Sequence, residues 1–108
     1  MNRGYSGYNT RWSLELTKEA ASNFSREGER NGDFLTIFFG ANDSCLGGTS
    51  PQHVPLEEYK SNLGIMIDDF RSGVDQDLNI VLIPPPPVHT EAWERFCEES
   101  NYPVDSKR

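Results

Sequence analysis

Two short polar segments carry residue types that could stabilise a developing negative charge. Asn42 lies in Gly40-Ala41-Asn42-Asp43, directly after an apolar run that is predicted to be a buried strand. An asparagine amide offers two N–H donors and has no charge of its own to desolvate. Gly7 lies upstream in the irregular stretch from Gly4 to Asn9, and without a Cβ its backbone can be approached closely. Donors aimed at one point can stabilise an oxygen on which a reaction builds up negative charge.

Each of these residues also has an ordinary structural explanation. Asn42 could be a plain turn asparagine. Gly7 could be a turn glycine, with Gly4 as the competing position. Ser6 nearly fits a Gly-x-Ser-x-Gly nucleophile elbow, but Tyr8 stands where the second glycine is required, so Ser6 is interpreted as structural.

Other chemically capable residues favour structural roles. His53 and His89 have no metal-ligand spacing, so loop hydrogen bonds are predicted for them in place of a metal site. Asp43 is predicted to cap or orient its loop. The run Pro84 to Pro87 could be a polyproline ligand, yet its position just after a predicted strand favours a stiff wall of a substrate pocket. No metal or organic cofactor is expected.

The composition argues against two classes of binding partner, nucleic acids and membranes. The formal net charge of −7 would repel phosphate backbones and anionic lipid, so neither nucleic acid nor a membrane surface is expected as a partner. The apolar runs fall short of the roughly 20 residues of a membrane helix. No secretory signal follows the N-terminus, and only two cysteines, Cys45 and Cys97, occur. A cytoplasmic location is therefore expected.

The elements that must position these residues follow from periodicity. Short apolar runs predict strands that are buried on both faces over Asp33 to Phe39 and Leu78 to Ile83. Between them, apolar residues from Leu56 to Phe70 recur at spacings of three and four, which predicts a core-facing helix that starts at Pro55 and stops near Gly73. A four-residue stripe predicts a helix over Thr10 to Glu27, formed by Trp12, Leu16, Ala20 and Phe24.

The order of elements predicts the fold class. Thr90 is predicted to cap a third helix, with Glu91 in its first turn, and a strand stub is expected near Asn2. Strands that alternate with helices indicate a parallel sheet with right-handed crossovers. Ligands of such sheets lie at the carboxyl ends of the strands. A site is therefore expected among residues 4–9, 40–55 and 84–90.

Three segments of the chain resemble one enzyme family. Arg3-Gly4-Tyr5-Ser6-Gly7-Tyr8-Asn9-Thr10-Arg11-Trp12 is the first, Phe38-Phe39-Gly40-Ala41-Asn42-Asp43-Ser44 the second, and Gln52-His53-Val54-Pro55-Leu56-Glu57-Glu58-Tyr59 the third. They resemble the GDSL or SGNH hydrolases, and most closely the isoamyl acetate-hydrolysing esterases. The resemblance runs from Asn2 to about Glu98. It implies that Gly7 and Asn42 are the glycine and asparagine of the oxyanion hole.

The resemblance also implies what these 108 residues lack. The family's Gly-Asp-Ser nucleophile segment has no match, because Gly32-Asp33 is followed by Phe34. The family's Asp-x-x-His base has none either, since Ser50 precedes His53 by three residues and Pro86 precedes His89. Loss of nucleophile or base costs a serine hydrolase on the order of 10⁶ in rate. The expectation is a catalytically incomplete fragment.

The resulting prediction is a single partial α/β domain over residues 1–108. The implied fold is a flavodoxin-like, three-layer α/β/α fold with parallel strands, lacking the first, central strand and the C-terminal part. The implied function is carboxylic ester hydrolysis, with a short-chain ester as the small-molecule substrate. The alternative is a non-catalytic binding or interaction protein derived from this fold. An unpaired sheet edge would also favour self-association.

Overall fold

Three helices and two strands make up the part of the chain that the computed structural model describes, which is residues 2–26, 34–48 and 50–101. In chain order they are α1 (Thr10–Arg26), β1 (Phe34–Phe38), α2 (Leu56–Gly73), β2 (Asn79–Ile83) and α3 (Thr90–Glu99). The predicted order of elements is confirmed from α1 to α3. None of the described helices is both long and apolar enough to cross a bilayer.

The two strands form a parallel sheet, as predicted. Phe34 pairs with Asn79 and Phe38 with Ile83, in a continuous register. Parallel strands need a crossover, and α2 provides it between them. The carboxyl ends of both strands therefore lie at the same edge of the sheet, where residues 40–55 and 84–90 begin.

One face of the sheet is covered at Ile37, although Leu82 on the same face is 45% exposed, and the other face is open. Ile37 is buried at 4% exposure, whereas Phe34 and Phe38, on the opposite face, are 67% and 58% exposed. In the neighbouring strand, Val81 and Ile83 share that open face and are also exposed. The expectation that both strands are buried on both faces is wrong for this chain, because the described elements do not cover the second face.

Packing of α1 against α2 uses small residues in place of the predicted stripe. Trp12 of that stripe is 41% exposed, while Ser13 and Ala21 are buried at 2%. A Cβ added to Gly73 would lie 3.4 Å from the Cβ of Ala21, so the two helices approach closely there. The buried line of α1 therefore lies one position beyond the predicted one, because small side chains let the helix axes come together.

The apolar stripe of α2 enters the core over its second half. Met66 is fully buried and Phe70 is 5% exposed, as the periodicity predicts. The prediction is wrong for Leu56, which is 75% exposed at the first turn of the helix. On the outer surface, Arg11 of α1 and Glu58 of α2 form a bidentate ion pair. Both side chains are exposed, so this pair contributes at most about 1 kcal/mol.

The ends of several elements differ from their predicted positions. The helix predicted over Thr10 to Glu27 ends at Arg26 within the described residues, and Glu27 lies outside them, as does Asp33 of the first strand. The second strand starts at Asn79, one residue after Leu78. The predicted strand stub near Asn2 is wrong, since residues 2–5 form no strand. A strand needs a paired neighbour, and no described segment pairs with this one.

The cap of α3 is His89 and not Thr90, which is the first residue of the helix. The His89 ring nitrogen Nδ1 accepts a hydrogen bond of 3.2 Å from the backbone N–H of Ala92. An N-cap side chain accepts from the third helical residue, so His89 occupies the geometry that was predicted for Thr90. Glu91 lies in the first turn, as predicted.

Candidate functional site

Gly7 lies in a tight turn formed by residues 5–8. The Tyr8 N–H donates to the Tyr5 carbonyl at 3.3 Å, and Gly7 has a φ of +79° as the third residue of the turn. A type II turn requires a positive φ at this position, which explains the glycine. The hydrogen bond that closes the turn is donated by the N–H of Tyr8 and not by the N–H of Gly7.

Asn42 lies directly against this turn. Its side-chain Nδ2 donates to the Tyr8 carbonyl at 2.8 Å, across 34 residues of sequence. An amide nitrogen carries two hydrogens, and this bond uses one of them while fixing the plane of the amide. The structure thus brings Asn42 to the residue next to Gly7. The oxyanion role of the two residues stays a prediction.

A second side chain from the same loop holds the turn. Nε2 of Gln52 donates to the Gly7 carbonyl at 2.8 Å, and the backbone carbonyl of Gln52 accepts from Nδ2 of Asn9 at 2.8 Å. Oδ1 of Asn9 in turn accepts from the Trp12 N–H, which caps the start of α1. The loop of residues 40–55 is therefore hydrogen-bonded both to the turn and to the residue that caps the following helix.

Below this contact lies a buried polar cluster, defined as Thr10, Asp43 and Asn62. The Asp43 carboxylate accepts from the Thr10 N–H at 3.0 Å and from the Thr10 hydroxyl. Nδ2 of Asn62 donates to the same hydroxyl at 3.0 Å. A carboxylate at the N-terminus of α1 is also favoured by the helix dipole. The prediction that Asp43 caps or orients its loop is confirmed.

Tyr59 fixes the end of β1 from the side of α2. Its hydroxyl donates to the Phe39 carbonyl at 3.0 Å. Burial raises the pKa of Tyr59 above its ordinary value of 10.0, and the negative charge of Asp43 adds to the increase. The tyrosine is therefore held in its neutral, hydrogen-bond-donating form well into the alkaline range.

The proline run predicted as a pocket wall lies against the loop that carries Asn42. Gly40 has a φ of +127°, and a Cβ on it would lie 2.9 Å from Pro85 and 3.0 Å from the Tyr59 hydroxyl. Only a residue without a side chain fits between these two groups. Pro85 and the start of the Asn42 loop are therefore neighbours at the carboxyl edge of the sheet.

Gly40→Ala should destabilise the chain by about 2–4 kcal/mol, because backbone strain and a clash with Pro85 act together. Urea denaturation followed by circular dichroism measures the change. Gly48→Ala is the matched control, since Gly48 also has a positive φ of +86° but has nothing within 4 Å of an added Cβ. It should cost only about 1–2 kcal/mol. Equal losses for the two variants would contradict the close approach of Pro85.

Stability should fall above about pH 10 through Tyr59. Below that pH the phenol is neutral in both states; above it the unfolded chain ionises first, because the folded-state pKa of Tyr59 is raised. The loss continues until the pH passes the folded-state pKa, and its slope stays below about 1.4 kcal/mol per pH unit. Urea denaturation at a series of values between about pH 8 and about pH 11 measures the decline.

Tyr59→Phe should flatten this decline and cost about 1 kcal/mol at neutral pH for the lost bond to Phe39. Tyr5→Phe, at a ring that is 57% exposed, is the control and should leave the decline unchanged. An equally steep decline in Tyr59→Phe would assign the effect to another group.

The histidines and cysteines take part in local structure. Nδ1 of His53 lies within hydrogen-bond distance of the Cys45 carbonyl, and His89 caps α3, so the prediction of loop hydrogen bonds is confirmed. Cys45 and Cys97 are buried and are not joined in a disulfide. Across the described ranges, no three His, Cys, Asp or Glu side chains group together as a metal site would need.

Sequence reasoning misses several partners of the site. It gives no separate role to Gln52, Asn62 or Asn9, and it assigns Tyr59 to the core stripe of α2. Each of the four makes a hydrogen bond to a residue at least 20 positions away, and Asn9 also caps α1 locally. Such contacts leave no periodic signal in a sequence. The one local signal is Asn9 just before Thr10, a residue type that favours helix caps.

Comparison with known proteins identifies relatives that match most of the chain. Residues 1–106 match the model of the GDSL-like lipase/acylhydrolase family. The chain is 46% identical over 98 residues to the rat isoamyl acetate-hydrolyzing esterase 1 homolog, which covers 90% of this chain. It is 44% identical over 104 residues to the human homolog, again over 90% of this chain. The isoamyl acetate-hydrolyzing esterase of Saccharomyces cerevisiae is 36% identical over 99 residues, 92% of this chain.

The relatives are longer than the matched region. The chain spans 39% of the length of the rat and human proteins and 37% of the yeast protein. The matched part includes the turn with Gly7 and the loop with Asn42, because the family match covers residues 1–106.

Proposed function

Because this chain belongs to the GDSL-like lipase/acylhydrolase family, we propose that it supplies the oxyanion-binding part of a carboxylic ester hydrolase. The backbone N–H of Gly7 and the side-chain amide of Asn42 are the proposed donors. The proposed substrate is a short-chain ester such as isoamyl acetate, after which the rat and yeast relatives are named.

One observation carries this proposal: the hydrogen bond of 2.8 Å from Asn42 to the carbonyl of Tyr8. Through that bond the asparagine amide is held one residue from Gly7, although the two residues belong to separate segments of the sequence. Donors from two segments can stabilise one oxyanion only if the segments are locked together before substrate arrives.

The chemistry that these residues offer is electrostatic. When a nucleophile attacks an ester, the carbonyl oxygen gains negative charge, and two neutral N–H donors stabilise that charge more strongly than they stabilise the uncharged ester. The nucleophile and the base must be residues other than Ser6, His53 and His89, which lack the required sequence context. The 108 residues assayed alone should hydrolyse p-nitrophenyl acetate no faster than background.

A hybrid esterase tests the proposal with activity as the readout. The segment of the yeast esterase that aligns with this chain over 99 residues is replaced by the matching residues of this chain, so that the remainder of the yeast protein can supply the other catalytic groups. We expect the hybrid to hydrolyse isoamyl acetate and to lose this activity on Asn42→Ala. Hydrolysis that is unaffected by Asn42→Ala, in a hybrid that folds, would contradict the proposal.

A second candidate, a non-catalytic interaction protein, is favoured by the open face of the sheet. Phe34, Phe38 and Val81 expose large apolar side chains on one surface, and each strand of the described sheet keeps one unpaired edge. A second copy of this chain is the proposed occupant, with its own open face packed against this one. Sedimentation equilibrium should then show a dimer that Phe38→Lys converts to monomer. A monomer at all concentrations would exclude this candidate.

A cytoplasmic location also stays a prediction. It rests on the sequence features given above, and the two buried cysteines without a disulfide are compatible with it. Cell fractionation with an antibody against the native protein would test it.

A further inference from the structure

We propose that Gln52 is a positioning residue of the oxyanion site, which it serves by holding the Gly7 peptide in its positive-φ conformation. The inference rests on the proposed function and extends it to a residue that makes no contact with the reacting atoms. Its basis is the hydrogen bond of 2.8 Å from Nε2 of Gln52 to the carbonyl of Gly7.

Both ends of the Gln52 amide have partners that fit its chemistry. The Gly7 carbonyl is an acceptor and faces the NH₂ group, while Sγ of Cys45 lies 3.9 Å from the carbonyl oxygen Oε1 and can donate weakly to it. The Gln52 side chain is half-buried. The orientation of the amide is therefore fixed by two different groups, and its donor end points at the turn.

The backbone of Gln52 is anchored as well. Its carbonyl accepts from Nδ2 of Asn9, and its N–H donates to the hydroxyl of Ser50 at 3.2 Å. Because its backbone is held at both polar groups, the Gln52 side chain can restrain the group to which it donates. Gln52 thus links the loop of Asn42 to Gly7 within the turn and to Asn9 directly after it.

The backbone of Gly7 needs such a restraint because glycine populates many backbone conformations with similar ease. The φ of +79° at Gly7 sets the direction of the Gly7 N–H. The hydrogen bond from Gln52 to the Gly7 carbonyl restrains rotation about the Cα–C bond of Gly7. Asn42 restrains the next carbonyl, that of Tyr8, in the same way. Two consecutive carbonyls are held by two amides from one loop, so the N–H of Gly7 and the amide of Asn42 are fixed relative to each other.

The first test uses the 108-residue chain itself. Gln52→Met keeps the length and volume of the side chain and removes the donor. In isotope-labelled protein, we expect the carbonyl carbon signal of Gly7 and the side-chain amide signals of Asn42 to shift or broaden, while signals of Met66 in the core of α2 stay in place. Unchanged Gly7 and Asn42 signals would overturn the proposal.

The second test measures kinetics in the hybrid esterase. Gln52→Met should lower kcat for isoamyl acetate about tenfold, the order expected when one hydrogen bond that positions an oxyanion donor is lost, with KM changed less than about twofold. Gln76→Met is the matched control, since Gln76 is exposed in the turn between α2 and β2, and it should leave both constants unchanged.

The outcomes separate this inference from the proposed function. A large loss with Asn42→Ala and none with Gln52→Met would overturn the role of Gln52 and leave the oxyanion site standing. No loss with Asn42→Ala would overturn the oxyanion site itself. A rise in KM at constant kcat in Gln52→Met would also overturn the inference, because it would indicate a role in ground-state binding.

Discussion

Asn42→Ala should lower kcat of the hybrid esterase by about 10²–10³-fold, with little change in KM, as expected for one oxyanion donor. The variant removes the amide that lies against the Gly7 turn and its bond to the Tyr8 carbonyl. Steady-state hydrolysis of isoamyl acetate measures the effect. The loss falls on kcat because the donor acts mainly on the charge that forms in the transition state.

Asn79→Ala is the matched control for this experiment. Asn79 is exposed at the start of β2, at the end of the sheet away from the loops that carry the site. It should leave kcat within about twofold of the unsubstituted hybrid. A comparable loss in both variants would mean that the hybrid tolerates substitution poorly and that the effect of Asn42 is not specific.

Asp43→Ala should destabilise the chain by about 3–5 kcal/mol, the largest effect on folding that the structure implies. The substitution leaves the N–H and the hydroxyl of Thr10 without their acceptor, and Thr10 is fully buried. It also removes a negative charge from the start of α1. Urea denaturation followed by circular dichroism measures the change.

Two further variants test the cause of that loss. Asp43→Asn keeps an oxygen that can accept from Thr10 and should cost only about 1–2 kcal/mol, for the lost charge. Asp77→Ala removes an exposed carboxylate and should cost less than about 0.5 kcal/mol. If Asp43→Ala were as mild as Asp77→Ala, the buried polar cluster would not be what holds the Asn42 loop to α1.

The regular elements are predictable because each has a local signal. The three-and-four spacing that ends at Phe70 predicts α2, and the apolar run before Gly40 predicts β1. The buried side of α1 is not predictable in the same way. Its contacts with α2 use Ser13 and Ala21, which carry weak hydrophobic signals, so the larger Trp12 gives a misleading stripe.

The candidate site is predictable at the level of its loops. Parallel strands place their carboxyl ends at one edge of the sheet, so the strand order alone predicts that Asn42 and the proline run lie near each other. The bonds that lock the site are not predictable. Gln52 reaches Gly7 across 45 positions and Asn62 reaches Thr10 across 52, and a sequence gives no distance between such residues. The open sheet face is not predictable from strand composition, because apolar strands suggest cover on both sides.

A crystal structure of the hybrid esterase inhibited by a phosphonate ester, whose charged oxygen mimics the oxyanion, would show directly whether Gly7 and Asn42 form one oxyanion hole. The nitrogen of Gly7 and Nδ2 of Asn42 should both lie about 2.7–3.1 Å from that single oxygen. An inhibitor oxygen that lies more than about 3.5 Å from either nitrogen would contradict the assignment of Gly7 and Asn42 to one oxyanion hole.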